Sequence, residues 1–174
     1  MNIIKELSKD LTKAKRDKIV AYIGKDKERF KELIEAFLNG PYRQTQRAAW
    51  PLSYAVKEHP FLIKPHLKRV IRNLNTPAIH DAVKRNTVRF LQSIDIPSSL
   101  QGEALDTCFK FLQSPKEPIA IKVFSMTVIA NLAKQHPELR NELKTIIEDQ
   151  MPFGSAGFRS RGGKILKQME KTER

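Results

Sequence analysis

Only one cysteine, Cys108, stands among the 174 residues. That excludes a disulfide framework or a cysteine-built metal cluster within the chain. Its apolar setting, LDTCFKFL, reads as a small core residue. Long apolar runs are also missing, and no stretch approaches the ~18 uncharged apolar residues of a membrane span. The amino terminus, MNIIKELSKDLTKAKRDK, interleaves charges with its few aliphatic residues, unlike the continuous apolar core of a secretory signal. A soluble, cytoplasmic protein with no membrane partner is the expectation. Histidine is sparse too: His59, His66, His80 and His136 show no metal-type spacing, so no metal is expected. Catalytic motifs are lacking, and nothing calls for a cofactor. Acidic residues are outnumbered, 19 against 32 Lys and Arg, which leaves a net charge of +13 and a pI near 10.0. These cations are spread along the whole chain, so the folded body itself is cationic and favours a negatively charged partner. The same charge would also keep a soluble protein from self-association.

What the chain does contain is a repeat. QTQRAAWPLSYAV begins at Gln44, AVKRNTVRFLQSI at Ala82 and AIKVFSMTVIANL at Ala120, each 38 residues after the last; FRSRGGKILKQM follows from Phe158. Self-similarity at this period marks a helical-repeat array, in which each unit buries its apolar face against its neighbours. Prolines and glycines punctuate the chain at intervals suited to paired helices, predicted over about 12–23, 26–39, 42–58, 61–75, 78–95, 98–114, 117–135, 138–150 and 155–171. Nothing reads as a strand. His59-Pro60, His136-Pro137 and Gly40-Pro41 supply helix stops, and Ser98 and Ser99, followed by Glu103, read as capping residues. Short connections make successive helices antiparallel.

Aligning the copies yields core columns Thr45/Val83/Ile121/Phe158, Leu52/Phe90/Val128/Ile165 and Val56/Ile94/Leu132/Met169, apolar apart from Thr45. Another column, Gln46/Lys84/Lys122/Arg159, would make a basic stripe with cations about 10 Å apart if the helices pack normally. The adjoining column, Arg47/Arg85/Val123/Ser160, is cationic in its first two members. Such a stripe could follow a phosphate backbone or an acidic protein segment, and the same residue types also make an ordinary solvated helix face. Trp50, the only tryptophan, flanks the core stripe near Arg47 and reads either as a stacking platform or as a packed boundary residue.

Residues 152–164, PFGSAGFRSRGGK, concentrate glycine, serine and cations where the last helix should begin. Ser155, Arg159, Arg161 and Lys164 there make a candidate anion site. The alternative is that Ser155 caps the helix while Gly162 and Gly163 permit close packing. It is not a nucleotide-binding loop of the G-x-x-x-x-G-K-[ST] kind, because Lys164 is followed by Ile165.

Helix pairs of about 38 residues, with helices ending in KEHP and KQHP and a basic residue early in the second helix, resemble HEAT-type repeats. The resemblance implies an all-α fold, a right-handed α-α superhelix (HEAT/armadillo-like) of about four helix pairs. It covers 26–171, with second helices near 42–58, 78–95, 117–135 and 155–171, a capping helix or half repeat over 1–25 and a tail at 172–174. In such arrays second helices line the concave surface, which would carry Arg47, Lys84, Arg85, Lys122 and Arg159 into a groove. Through YRQTQRAAWPLSYAV, HDAVKRNTVRFLQ, KEPIAIKVFSMTV and GSAGFRSRGGK the whole chain is similar to a group of short bacterial HEAT-like proteins. Members of that group have been called adenylosuccinate lyases, yet true lyases of that kind are far longer and carry an S-S-x-M-P-x-K-x-N loop, which this chain lacks.

The reading that follows is a non-enzymatic binding module whose basic concave surface holds nucleic acid or an acidic protein surface. A more distant resemblance is to HEAT-like DNA alkylation-repair glycosylases, in which a carboxylate and aromatics line a basic groove. That enzyme would need Asp81 beside Trp50. A third reading is a protein scaffold whose charge serves solubility.

Overall fold

The structure is a computed structural model that describes residues 1–172. Of the tail expected at 172–174, residues 173 and 174 lie outside the described residues. Every regular element among the described residues is helical. The chain divides into two compact units, Met1–Ile94 and Asp95–Arg174.

The first unit holds α1 (Ile3–Leu7), α2 (Lys13–Ile23), α3 (Lys27–Asn39), α4 (Tyr42–Glu58), α5 (Leu67–Asn73) and α6 (Asp81–Leu91). Its amino-terminal helices begin on side-chain caps: Asn2, Thr12 and Asp26 each accept a backbone N–H from the first turn that follows. The predicted 61–75 helix is broken. Pro60 and Pro65 each remove a backbone donor, so the chain takes two short 3₁₀ turns, Pro60–Leu62 and Lys64–His66, before α5 begins. The predicted 78–95 helix starts late because Pro77 precedes Ala78, which sits at φ +58°, and because His80 Nδ1 accepts the Ala82 N–H as the helix cap. Across Pro51, by contrast, α4 runs unbroken, with the proline ring buried.

The second unit holds α7 (Ser98–Gln113), α8 (Ile119–Leu132), α9 (Leu139–Gln150) and α10 (Ala156–Thr172). Proline stands where a capping side chain would be at α7 and α8. Pro97 and Pro118 stand at their N-caps with φ near the ring-fixed value, as Pro41 does for α4, and none of these starts has a side-chain cap. Ser98 is therefore the first helical residue rather than the cap expected from its position.

The core follows the repeat columns in both units. Val83, Ile121 and Phe158 are buried, as are Leu52, Phe90, Val128 and Ile165. In the third column Val56 and Leu132 are buried, whereas Ile94, beyond the end of α6, and Met169, near the end of α10, are half-exposed. A fourth column recurs: Ala49, Thr87, Ser125 and Gly162 are all small and all buried. Gly162 shows why size matters. A Cβ there would meet Ile147 Cγ2 at 2.9 Å and Met151 Sδ at 3.1 Å, so α10 approaches α9 closely at this point. Gly163 has nothing within 4 Å of such an atom, so the close packing expected of both glycines belongs to Gly162.

Two outcomes follow. Gly163→Ala should raise the thermal midpoint, since alanine is favoured over glycine in a helix by about 1 kcal/mol, whereas Gly162→Ala should lower it, because an overpacked core costs about 1–3 kcal/mol. Thermal unfolding followed by circular dichroism separates the two, and equal shifts would contradict the packing described. Burial pushes the Cys108 thiol up to about 12, so it stays protonated and inaccessible. Iodoacetamide should label it only as fast as the protein unfolds, with labelling in denaturant prompt.

Candidate functional site

In the first unit, α4 and α6 pack against each other. Along α4, Arg43, Gln46, Arg47 and Trp50 recur at i, i+3, i+4 and i+7; along α6, Ala82, Arg85, Asn86 and Arg89 have the same spacing. Each set therefore shares one helix face. The two faces line a cleft of about 770 Å³, completed by Tyr42 and by Asp10 and Leu11 from the segment between α1 and α2. Its volume lies in the range of ligand pockets, ~300–1,000 Å³. Four arginines and two large aromatics surround it, against a single carboxylate.

Several of these side chains are held by named partners. Arg47 donates from Nη1 to the carbonyls of Leu7 (3.2 Å) and Ser8 (2.8 Å), and from Nη2 to Asp10 Oδ1 at 2.6 Å. It thereby closes the carboxy end of α1 and pins the 8–10 segment against α4. Asn86 is buried. Its Nδ2 donates to the Ala82 carbonyl at 2.8 Å, and its Oδ1 lies 3.1 Å from the Ser53 hydroxyl, which also sits 2.9 Å from the Trp50 carbonyl. Arg89 donates to the Tyr54 hydroxyl at 3.4 Å, and its guanidinium carbon lies 5.0 Å from the centre of that ring. Arg43 and Arg85, in contrast, are exposed.

Behind the cleft lies a stack that the sequence pattern did not reveal. Arg16 of α2 is only 5% exposed, and its guanidinium carbon lies 3.8 Å from the Tyr54 ring centre and 4.6 Å from that of Trp50. Cations over aromatic faces attract the ring quadrupole, more strongly when desolvated. The hydrogen bond from Arg89, with the charges of Arg89 and Arg16, holds the Tyr54 hydroxyl below the usual tyrosine range. Trp50 is half-buried, lining the cleft while packing under Arg16.

The residues singled out in sequence are therefore placed unevenly. Arg47, Arg85 and Trp50 meet at the cleft, joined by Gln46. Arg43, Arg89 and Tyr42 were missed because they share no repeat column. The signal that finds them is the i, i+3, i+4, i+7 stripe on each helix. Lys84 is half-buried on α6 and does not line the cleft. Asp81 is exposed in the first turn of α6 and does not line it either.

Lys122 and Arg159 belong to the second unit. Lys122 Nζ lies 5.9 Å from the Phe158 ring centre, and loss of solvation holds its pKa below the usual lysine value. In the glycine-rich segment, Ser155 Oγ accepts the Phe158 N–H at 3.2 Å, capping α10. Arg161 donates to Thr127 Oγ1 at 2.6 Å, linking α10 to α8, while Arg159 and Lys164 are exposed. Among the described residues, no group of three or more His, Cys, Asp or Glu side chains is arranged to hold a metal ion. No helix of the described residues is long and apolar enough to cross a membrane.

The model of a family described as HEAT repeat domain matches residues 3–169. No curated protein and no solved structure matches the chain.

Removing Arg47 tests how far the amino-terminal segment depends on it. Asp10 is 98% exposed at its side chain, so the ion pair itself is discounted. The two bonds to backbone carbonyls remain, and Arg47→Ala should lose about 1–3 kcal/mol of stability. Arg47→Lys should recover little, because one ammonium cannot span the fork of acceptors. Urea unfolding measures both; an unchanged midpoint in Arg47→Ala would show that the 8–10 segment is held by something else.

Proposed function

We propose that this chain, which belongs to the HEAT repeat domain family, is a non-enzymatic binding module that holds nucleic acid in the α4–α6 cleft. The observation that carries the reading is the convergence of Arg43, Arg47, Arg85 and Arg89 with Tyr42 and Trp50 around one cavity. Guanidinium groups bind phosphate through paired N–H donors, and aromatic rings offer faces on which bases stack. The carboxylate lining the cleft, Asp10, is tied to Arg47. That favours holding an anion over general-base chemistry of the glycosylase kind.

The rest of the positive charge supports the same reading at longer range. Lys84, Lys122 and Arg159 add to a net charge of +13, which steers a polyanion toward the protein and raises its rate of encounter. Arg159, Arg161 and Lys164 near the start of α10 are secondary candidates for phosphate contact. A cytoplasmic location goes with this function.

The deciding experiment titrates labelled DNA and RNA oligonucleotides at ~50 and ~200 mM salt, where phosphate-driven binding loses orders of magnitude in affinity. The double variant Arg43→Ala/Arg85→Ala alters only exposed side chains. It should keep the unfolding midpoint, weaken binding by about tenfold or more, and flatten the salt slope by about one unit for each phosphate no longer neutralised. Absence of binding at low salt to every oligonucleotide would sink the reading and leave an acidic protein surface as the partner.

A further inference from the structure

The stripe that lines the cleft does not stop at Trp50. Continued along α4 at the same spacing it reaches Ser53, Tyr54 and Lys57, and on the α6 side it passes Arg89 to Gln92 and Ser93, in the turn just past the helix end. These six residues line a second cavity, of about 210 Å³, which shares Arg89 with the first. The contact between Ser53 and Asn86 bridges α4 and α6 where the two cavities meet. From Arg43 to Lys57 is fourteen helical steps, a span of about 21 Å at 1.5 Å per residue.

Chemistry changes along this length. The first chamber is wide, rich in arginine and faced by Tyr42 and Trp50. The second is smaller, with hydroxyl and amide side chains beside the apolar Val56, Pro60, Phe90 and Ile94, and with Lys57 exposed at its far end. Tyr54 and Arg89 stand where the two meet, with Arg16 buried against Tyr54. Cations therefore recur from one end of the groove to the other, with aromatic rings and hydrogen-bonding groups between them.

Resting on the nucleic-acid reading, we infer that the occupant of this groove is a single strand, lying along the α4–α6 seam and covering about four nucleotides, the low end of the ~4–16 seen for single-strand grooves. A duplex offers only base edges in its grooves, its bases being stacked on one another. Rings and amides recessed between two helices are reached by bases that have left the stack. Arg43 and Arg85 meet the phosphate at the wide end, Arg89 meets the one at the junction, and Lys57 meets the last.

Fluorescence anisotropy with oligothymidylate and oligouridylate of two, four, eight and twelve nucleotides, beside a mixed-sequence duplex, tests this. Affinity should climb from the dimer to the tetramer and then grow only by the statistical factor of added sites. The slope of log affinity against log salt should be about −2 for the tetramer, since each of its roughly three internucleotide phosphates contributes ~0.7 on a single strand. The duplex should bind at least tenfold more weakly than the single-stranded octamer. Lys57→Ala, at an exposed position, should leave dimer binding within twofold and weaken the tetramer about three- to tenfold.

Saturation at the dimer, or a Lys57→Ala tetramer affinity equal to that of the parent, would overturn the extended groove. A duplex that binds as well as the single strand would overturn strand selectivity while leaving the nucleic-acid reading intact. Failure of every probe to bind at low salt would remove both.

Discussion

The first unit depends on how α4 meets α6. The two helices lie side by side, and the seam is bridged by a buried polar contact between Ser53 and Asn86. Desolvated polar groups are costly unless paired. That pairing favours one register between the helices over its neighbours, and the register decides which side chains line the groove. A slip of one residue would rotate each helix face by about 100° and carry Arg85 and Arg89 away from Arg43 and Trp50. The lining of the cleft is thus a consequence of a packing contact between its two walls.

Arginine stands in three different settings in the first unit. Arg16 is buried and structural, stacked on Trp50 and Tyr54 and thereby backing the cleft wall. Arg47 divides its fork between two backbone carbonyls and Asp10, so the segment between α1 and α2 becomes part of the cleft rim. Arg43 and Arg85 remain exposed. A planar fork with several donors suits all three tasks, because it stacks, binds carbonyls and pairs with anions. Charge count alone cannot distinguish these roles, because the distinction lies in what each guanidinium touches.

The repeat columns that define the core were readable because burial selects one property, apolarity, at positions set by helical periodicity. Leu52, Phe90, Val128 and Ile165 are equivalent in sequence and buried alike. The cleft was less readable because its residues are related by helix face within a repeat and not by position between repeats. Arg47 and Arg85 fall in one column, whereas Arg43 is aligned with Asp81 and Arg89 with Pro51. The buried small column, Ala49, Thr87, Ser125 and Gly162, escaped for another reason. It keeps a small volume while mixing apolar, hydroxyl and glycine residues, so a pattern of hydrophobicity passes over it.

By itself the sequence determined that the chain is all-helical, where most helices begin and end, and which stripe of each second helix is buried. Those properties are local, or repeat at a fixed period, and proline, glycine and apolar spacing encode them directly. Tertiary structure alone decided that Arg16 lies inside, that Arg47 reaches back to α1, and that α4 and α6 bring Arg43, Trp50, Arg85 and Arg89 around one cleft. Each of these joins residues more than thirty positions apart. Such pairings follow from helix packing and the reach of long side chains, which no local pattern records.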